Sequence, residues 1–466
     1  MLKMSEDDII YAVLLILGIA FGQFYRKIND AGLKKIIGTV FGLVTIFYTS
    51  GFQSLHIFIS FIVCCFIIKY DQRRCHLICF WFMMIYLLFF RMVGLIGLPV
   101  PAGHTNMIQM ILTLKIIGFA FEKNSVLTKI KEAGDKLELS ASDKEIRNSS
   151  FIDIFHYCFN YIGMLTGPYF TYRTFYDYFN YPFYKHADCF KATLQKLAWV
   201  PFYAGLFLLT SYIWPSEYME TTEFYESRSF LYRLFYVWPT FFIFRMRIYA
   251  GITLAECMCI SAGLGCYPKV LEAKCGHGPS TAITKEIVDS TEKHEYDFET
   301  IENINVPNVE KCWTFREAMK HWNKCVQYWL AMYVYKRFPS KKYRVMATMA
   351  VSAYWHGILP GHYFCILGPI VYLPVEDVLL KVFKSDDPNT QKIFNIITWI
   401  FKFFAFSYLG TAFVLKDVRK IWHFYSSVYH FGYFFWLTLY LICSFIYTLK
   451  KKAQKRTVKD TEKKGE

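Results

Sequence analysis

Residues 77–98 read LICFWFMMIYLLFFRMVGLIGL. Arg91 is the only charge in this run, and its length meets the roughly 20 residues that a helix needs to cross a bilayer. Outward from it, apolar runs recur along the whole chain. Upstream lie Ile9–Tyr25, Ile36–Tyr48 and Ser54–Ile68; downstream lie Met107–Phe121, Phe151–Leu165, Leu197–Ile213, Phe230–Phe244 and Ile248–Leu264. After a polar interval come Val345–Leu359, Tyr363–Leu373, Ile393–Leu415 and Phe431–Leu449. Composition agrees. Of 466 residues, 55% are hydrophobic, 20% aromatic and 19% charged, with a mean hydropathy of +0.24; a soluble protein carries about a quarter charged residues. The short alternating strands of a closed barrel are missing, so the expected fold is all-α, a polytopic membrane helical bundle. Several runs fall short of a full span. The expectation is therefore roughly nine to eleven transmembrane helices, the remaining runs being re-entrant, interfacial or buried in the bundle.

The net charge of +15 is concentrated in loops and in the tail. Lys450–Lys452, Lys455 and Arg456 follow the last run, which puts the C-terminus in the cytosol by the positive-inside rule. Glu6, Asp7 and Asp8 precede the first run, and Arg26, Lys27, Lys34 and Lys35 follow it, so a luminal N-terminus and an odd number of crossings are expected. Such cations suit lipid phosphates; no nucleic-acid partner is implied. The first run lacks a basic leader and a small-residue cleavage site, and is expected to remain as a span. The chain ends Lys463-Lys464-Gly465-Glu466, the pattern of a dilysine endoplasmic-reticulum retrieval signal. The expected organisation is one membrane domain over 1–449 and a basic cytosolic tail over 450–466, charged enough to be disordered. Two polar intervals interrupt the domain: Glu122–Ser150, with room for a short surface helix, and Cys266–Trp313, long enough to be functional. The fourteen cysteines are scattered. Cys75-x-x-x-Cys79 and Cys257-x-Cys259 lack the paired spacing of a zinc site, so neither a disulfide framework nor a metal is implied.

Chemistry enters at Val351–Tyr363, VSAYWHGILPGHY, which places His356 and His362 inside an apolar region. A histidine at mid-depth in a membrane span either faces a cavity or substrate, or pairs helices by bonding a backbone carbonyl. His362, beside the Pro360-Gly361 break, fits the structural role at a helix end. A second feature is Trp322-Asn323-Lys324-Cys325-Val326-Gln327-Tyr328-Trp329-Leu330. As a helix it sets Asn323 and Gln327 on one face, either as part of an interfacial anchor or as amides brought into a site. There is no G-x-S-x-G elbow, no P-loop and no H-E-x-x-H zinc helix. No histidine is followed by Asp after four intervening residues. A base without a Ser or Cys nucleophile suggests direct transfer, with the substrate's own hydroxyl attacking. Arg91, Lys115, Arg173, Arg233, Arg245 and Arg247 lie in or beside apolar runs. Each either snorkels to the interface, the simpler reading, or meets a phosphate.

Trp322-Asn323 together with Trp355-His356-Gly357 and the following Pro360-Gly361 resembles the signature of the membrane-bound O-acyltransferase family. Further likeness lies in Met110–Lys115, Thr166–Phe170, Tyr172–Thr174, Arg245–Ala250, Glu295–Ile301, Val326–Ala331 and Ser352–Gly357. These segments are most similar to the branch of the family that acylates lysophosphatidylinositol. One departure is His362, where relatives more often carry an aromatic residue.

The resemblance implies a helical bundle with an internal substrate tunnel, acyl-CoA entering from the cytosol and the lysolipid from the membrane. It also implies His356 as the catalytic histidine and Asn323 as its partner, with Gln327 and Trp355 as neighbours of the site. No bound cofactor is expected, acyl-CoA being a co-substrate. Burial favours the neutral imidazole that a general base must be. His356 then takes the proton of a lysophospholipid hydroxyl as that oxygen attacks the thioester, while Asn323 either polarises the thioester or positions CoA. The expected partners are lysophosphatidylinositol, polyunsaturated arachidonoyl-type acyl-CoA and membrane lipids, and the expected product is a phospholipid remodelled at its sn-2 position. The alternatives are another lysophospholipid, a protein hydroxyl, or a non-enzymatic transporter or scaffold.

Overall fold

The computed structural model describes residues 6–133 and 138–465, the side chains of 133 and 455–465 excepted. The dilysine pair Lys463-Lys464 lies among those excepted side chains. Regular structure is almost entirely helical. The one paired ladder among the described residues is a two-residue antiparallel ribbon, Tyr267–Pro268 against Tyr296–Asp297, which pins the long polar interval.

Seven stretches of the described residues are long and apolar enough to cross a membrane, fewer than the nine to eleven expected. Merging and charge both lower this number. Ala31–Tyr70 is one stretch but holds two helices, Ala31–Ser50 and Ser54–Tyr70, joined by a tight turn at Gly51–Gln53. Gly103–Ala133 and Val237–Ala262 have the length, at 31 and 26 residues, but contain Lys115 in the first and Arg245, Arg247 and Glu256 in the second. The runs expected separately at Phe230–Phe244 and Ile248–Leu264 are largely one helix, because the arginines between them have carboxylate partners. Arg245 Nε lies 3.2 Å from Glu310, and Arg247 Nε donates to Asp8 at 3.2 Å. The last helix runs Phe431–Gly465, so the tail read as disordered continues the helix that precedes it. Lys, Gln and Ala after the apolar run are good helix formers and give it no stop signal.

The described residues pack as two units: Met1–Gly205, Met246–Asn305 and Trp322–Arg344 form the first, and Leu206–Arg245, Val306–His321 and Val345–Glu466 the second. In the first, glycines let helices approach closely, the small-residue device of membrane bundles. Gly18 and Gly22, one turn apart on Glu6–Tyr25, lie against Met258 and Ser261; a Cβ on Gly22 would meet Ser261 Oγ at 2.6 Å and the Ala262 nitrogen at 2.9 Å. Backbone cannot yield there. Gly22→Val is expected to lower stability by about 1–3 kcal/mol, the range for overpacked cores, read as an earlier thermal unfolding midpoint in detergent.

The run expected as a span at Phe151–Leu165 is helical only over Phe151–Phe159, and irregular backbone follows it, buried. Lys115, fully buried, makes this possible. Its Nζ donates to the carbonyls of Tyr157 at 3.2 Å and Ile162 at 3.5 Å and sits 4.7 Å from the centre of the Phe170 ring. Carbonyls at a broken helix end need donors where no water reaches, and a lysine supplies them.

The second unit uses the same device. Lys402, also fully buried, donates to the carbonyls of Val309, Glu310 and Cys312 at 2.9, 3.1 and 2.7 Å. The complementary case is Glu376, whose carboxylate accepts the first N–H groups of the helix Phe315–Lys320, from Phe315 and from Arg316 at 3.0 Å. These groups hold the Val306–His321 segment against the helices Pro369–Phe383 and Pro388–Leu415.

Candidate active site

In the first unit the helix expected over Trp322–Leu330 begins two residues later, at Lys324, so Asn323 precedes it rather than sharing a helical face with Gln327. Asn323 itself stands at φ 51°, ψ 44°, the left-handed region that Asn tolerates better than most residues. Its carbonyl still accepts the first helical bond, from the N–H of Gln327 at 2.9 Å. Gln327 Nε2 donates back to the carbonyl of Trp322, so this side chain closes the turn that presents Asn323. The anchor reading fails for Trp329. It is fully buried, and its indole N–H donates to the carbonyl of Leu114 at 3.0 Å.

The turn is seated on the end of the long polar interval. Lys324 N–H donates to the Asn303 carbonyl at 2.7 Å, and Lys324 Nζ reaches Glu299 at 2.7 Å and Glu302 at 2.6 Å. Burial alone would lower the Lys324 pKa; the two carboxylates outweigh it and raise the value above the ordinary lysine range. Burial alone would raise Glu302, and the ammonium beside it brings it below the usual carboxylate value. Asn303 is buried. Its Nδ2 donates to Asn323 Oδ1 at 3.4 Å, and its Oδ1 accepts the N–H of Cys325 at 3.2 Å. Asn303 is in turn held by Glu256, whose Oε1 accepts the N–H groups of Asn303 and Ile304 at 2.7 and 3.0 Å and whose Oε2 pairs with Lys196.

In the second unit His356 is the last residue of the helix Arg344–His356, ended by Gly357, whose N–H donates to the Ala353 carbonyl at 3.0 Å. Its ring packs edge-on to Trp355, centroids 4.8 Å apart, and to Phe413 at 5.9 Å. Trp355 is buried and walls one side. Gly357 leaves room for the His362 ring, which would otherwise strike a Cβ there, and His362 packs on Phe413 at 4.7 Å. The helix Pro360–Leu367 starts immediately after, and the Gly361 N–H donates to the Lys416 carbonyl at 3.0 Å. His362 thus packs in the first turn of that helix. Asn323 and Gln327 are neighbours in the first unit, and Trp355 and His356 in the second.

Residues 100–415 match the model of the membrane-bound O-acyltransferase family, an interval that contains both Asn323 and His356. The chain belongs to that family. This O-acyltransferase is similar over nearly its whole length to proteins named membrane-bound acylglycerophosphatidylinositol O-acyltransferase. The Drosophila melanogaster relative is 46% identical, covering 97% of this chain and 95% of that protein. The Homo sapiens relative is 34% identical with 91% of each covered, and the Caenorhabditis elegans relative 34% identical with 97% and 98% covered.

The cations of this acyltransferase read first as snorkelling all have protein partners. Besides Lys115, Arg245 and Arg247, Arg91 donates to Asn106 Oδ1 at 3.0 Å, Arg173 pairs with Asp143, and Arg233 donates to the Tyr225 carbonyl at 2.6 Å. Lys115 and Arg245 are buried outright. The sequence reading passed over Glu256, Lys196 and Asn303. The available signal was Glu256, an acid inside the apolar run Ile248–Leu264, where a charge demands a partner.

Proposed function

We propose that this enzyme transfers an acyl chain, polyunsaturated and of arachidonoyl type, from acyl-CoA to the sn-2 hydroxyl of lysophosphatidylinositol. The observation that carries the head-group assignment is the identity of 34–46% over almost the whole chain to relatives named for acylglycerophosphatidylinositol. His356 acts as the general base. It takes the hydroxyl proton as the lysolipid oxygen bonds to the thioester carbon; the tetrahedral adduct then expels CoA thiolate, which regains the proton from the imidazolium. No covalent acyl-enzyme forms. Asn323 donates to the carbonyl oxygen on which charge develops. The packing of Trp355 and Phe413 on the ring supports the role, since it fixes the imidazole at the end of its helix. The same reading sets the protein in the endoplasmic-reticulum membrane with the residues after its last apolar run in the cytosol, the latter supported by Lys450–Lys452.

Release of CoA from arachidonoyl-CoA by the purified protein tests the head group. With lysophosphatidylinositol as acceptor, kcat/KM is expected to exceed that with lysophosphatidylcholine by about a hundredfold or more, since a site built to hydrogen-bond hydroxyls rejects a ligand without them. Equal values would leave the transfer chemistry in place and overturn the inositol assignment.

A further inference from the structure

Asn303 fixes which end of the Asn323 side chain is available for chemistry. The chain of assignments starts at a group with no choice: a backbone N–H only donates. The atom of Asn303 that faces the Cys325 N–H at 3.2 Å is therefore its carbonyl oxygen. The NH2 of Asn303 must then point the other way, at Asn323, and the Asn323 atom that meets it at 3.4 Å must be an acceptor, Oδ1. Asn323 Nδ2 is left as the outward end, and among the described residues nothing accepts from it. Asn303 has little freedom to turn. It is 4% exposed, its N–H is tied to Glu256 and its carbonyl to the Lys324 N–H. The Glu256 carboxylate is in turn neutralised by Lys196.

We propose that Asn303 is a positioning residue that binds the carbonyl end of Asn323 and so presents its NH2 as a hydrogen-bond donor to the substrate. The inference rests on the reading of Asn323 as a site residue and goes beyond it by naming what sets the direction of the amide. The backbone at Asn323 is held separately, by Lys324 with Glu299 and Glu302 and by Gln327 with Trp322. Loss of the Asn303 amide therefore frees the Asn323 side chain without dismantling the turn.

Two substitutions separate this role from a merely structural one. Asn303→Ala removes the bias, and kcat is expected to fall about tenfold, the weight of one net hydrogen bond. Asn303→Asp keeps an acceptor for the Cys325 N–H but turns only acceptors toward Asn323, whose amide then rotates to donate inward and shows its oxygen to the substrate. For that variant kcat is expected to fall about a hundredfold, toward the level of Asn323→Ala, with KM for acyl-CoA and lysolipid little changed. A structural role predicts the reverse order, because Asp preserves the buried bond that Ala loses. In an Asn323→Ala background neither substitution at 303 should lower kcat further. If Asn323→Ala retains full kcat, the reading of Asn323 as a site residue falls. If Asn323→Ala is impaired while Asn303→Asp is no worse than Asn303→Ala, the orientation inference falls. Thermal unfolding in detergent reports the fold of each variant; should Asn303→Asp fail to fold, additive losses from Asn303→Ala and Asn323→Ala overturn the inference and coupled losses sustain it.

Discussion

His356→Ala is expected to lower CoA release with arachidonoyl-CoA and lysophosphatidylinositol by about 10³-fold, the middle of the range for removal of a general base. The fall should lie in kcat, because a general base acts on a proton in flight rather than on the bound lipid. His362→Ala provides the contrast. That ring fills the space left by Gly357 and packs on Phe413 at 4.7 Å, so its removal leaves a cavity at the start of the helix Pro360–Leu367. It should lower the thermal unfolding midpoint and leave kcat within about tenfold, as cavity formation affects stability before chemistry. A folded His356→Ala protein with undiminished turnover would return His356 to packing against Trp355 and Phe413. Loss of turnover in a stable His362→Ala protein would move the base to His362.

The two histidines show how much the sequence disclosed. Their separation onto two helices was legible because Pro360-Gly361 starts a new helix, which places His362 in its first turn. The long apolar runs were equally legible: the expected Ile393–Leu415 lies inside the helix Pro388–Leu415, and most of the expected Leu77–Leu98 inside Cys75–Met92. Runs failed as guides where a buried charge changes what the backbone can do. Phe151–Leu165 looks like a span by hydropathy alone, yet it breaks at Asn160 because Lys115, about forty residues upstream, supplies the donors that the broken end needs. Phe230–Phe244 and Ile248–Leu264 look separate because arginines lie between them, yet Glu310 and Asp8 neutralise those arginines within one helix. Hydropathy assigns a cost to each charge and takes no account of the partner that offsets it. The same blindness hid the support of the candidate site. Asn323 stood out beside Trp322, whereas Asn303 lies in a polar interval with nothing local to mark it, and what ties it to Asn323 is a contact across twenty residues of chain.

Asn323 offers the sharper chemical test, because its two ends support different mechanisms. An amide that polarises the thioester must donate through Nδ2, and one that merely receives the lysolipid hydroxyl accepts through Oδ1. Asn323→Asp separates them. The carboxylate has the same shape, accepts from Asn303 Nδ2 as the native oxygen does, and cannot donate. If the donor carries the function, Asn323→Asp should be as impaired as Asn323→Ala, each by about 10²–10³-fold in kcat, the effect of removing one oxyanion donor. If the acceptor carries the function, Asn323→Asp should retain most of the turnover and Asn323→Ala should not. Backbone strain adds an independent expectation. Position 323 holds φ 51°, which Asp tolerates nearly as well as Asn and Ala does less readily, so the Asp variant should unfold at a temperature no lower than the Ala variant. A protein that is stable as Asn323→Asp and yet unable to release CoA isolates the lost N–H as the cause. A protein that is stable and active assigns the amide oxygen to the substrate hydroxyl and leaves the oxyanion to another donor.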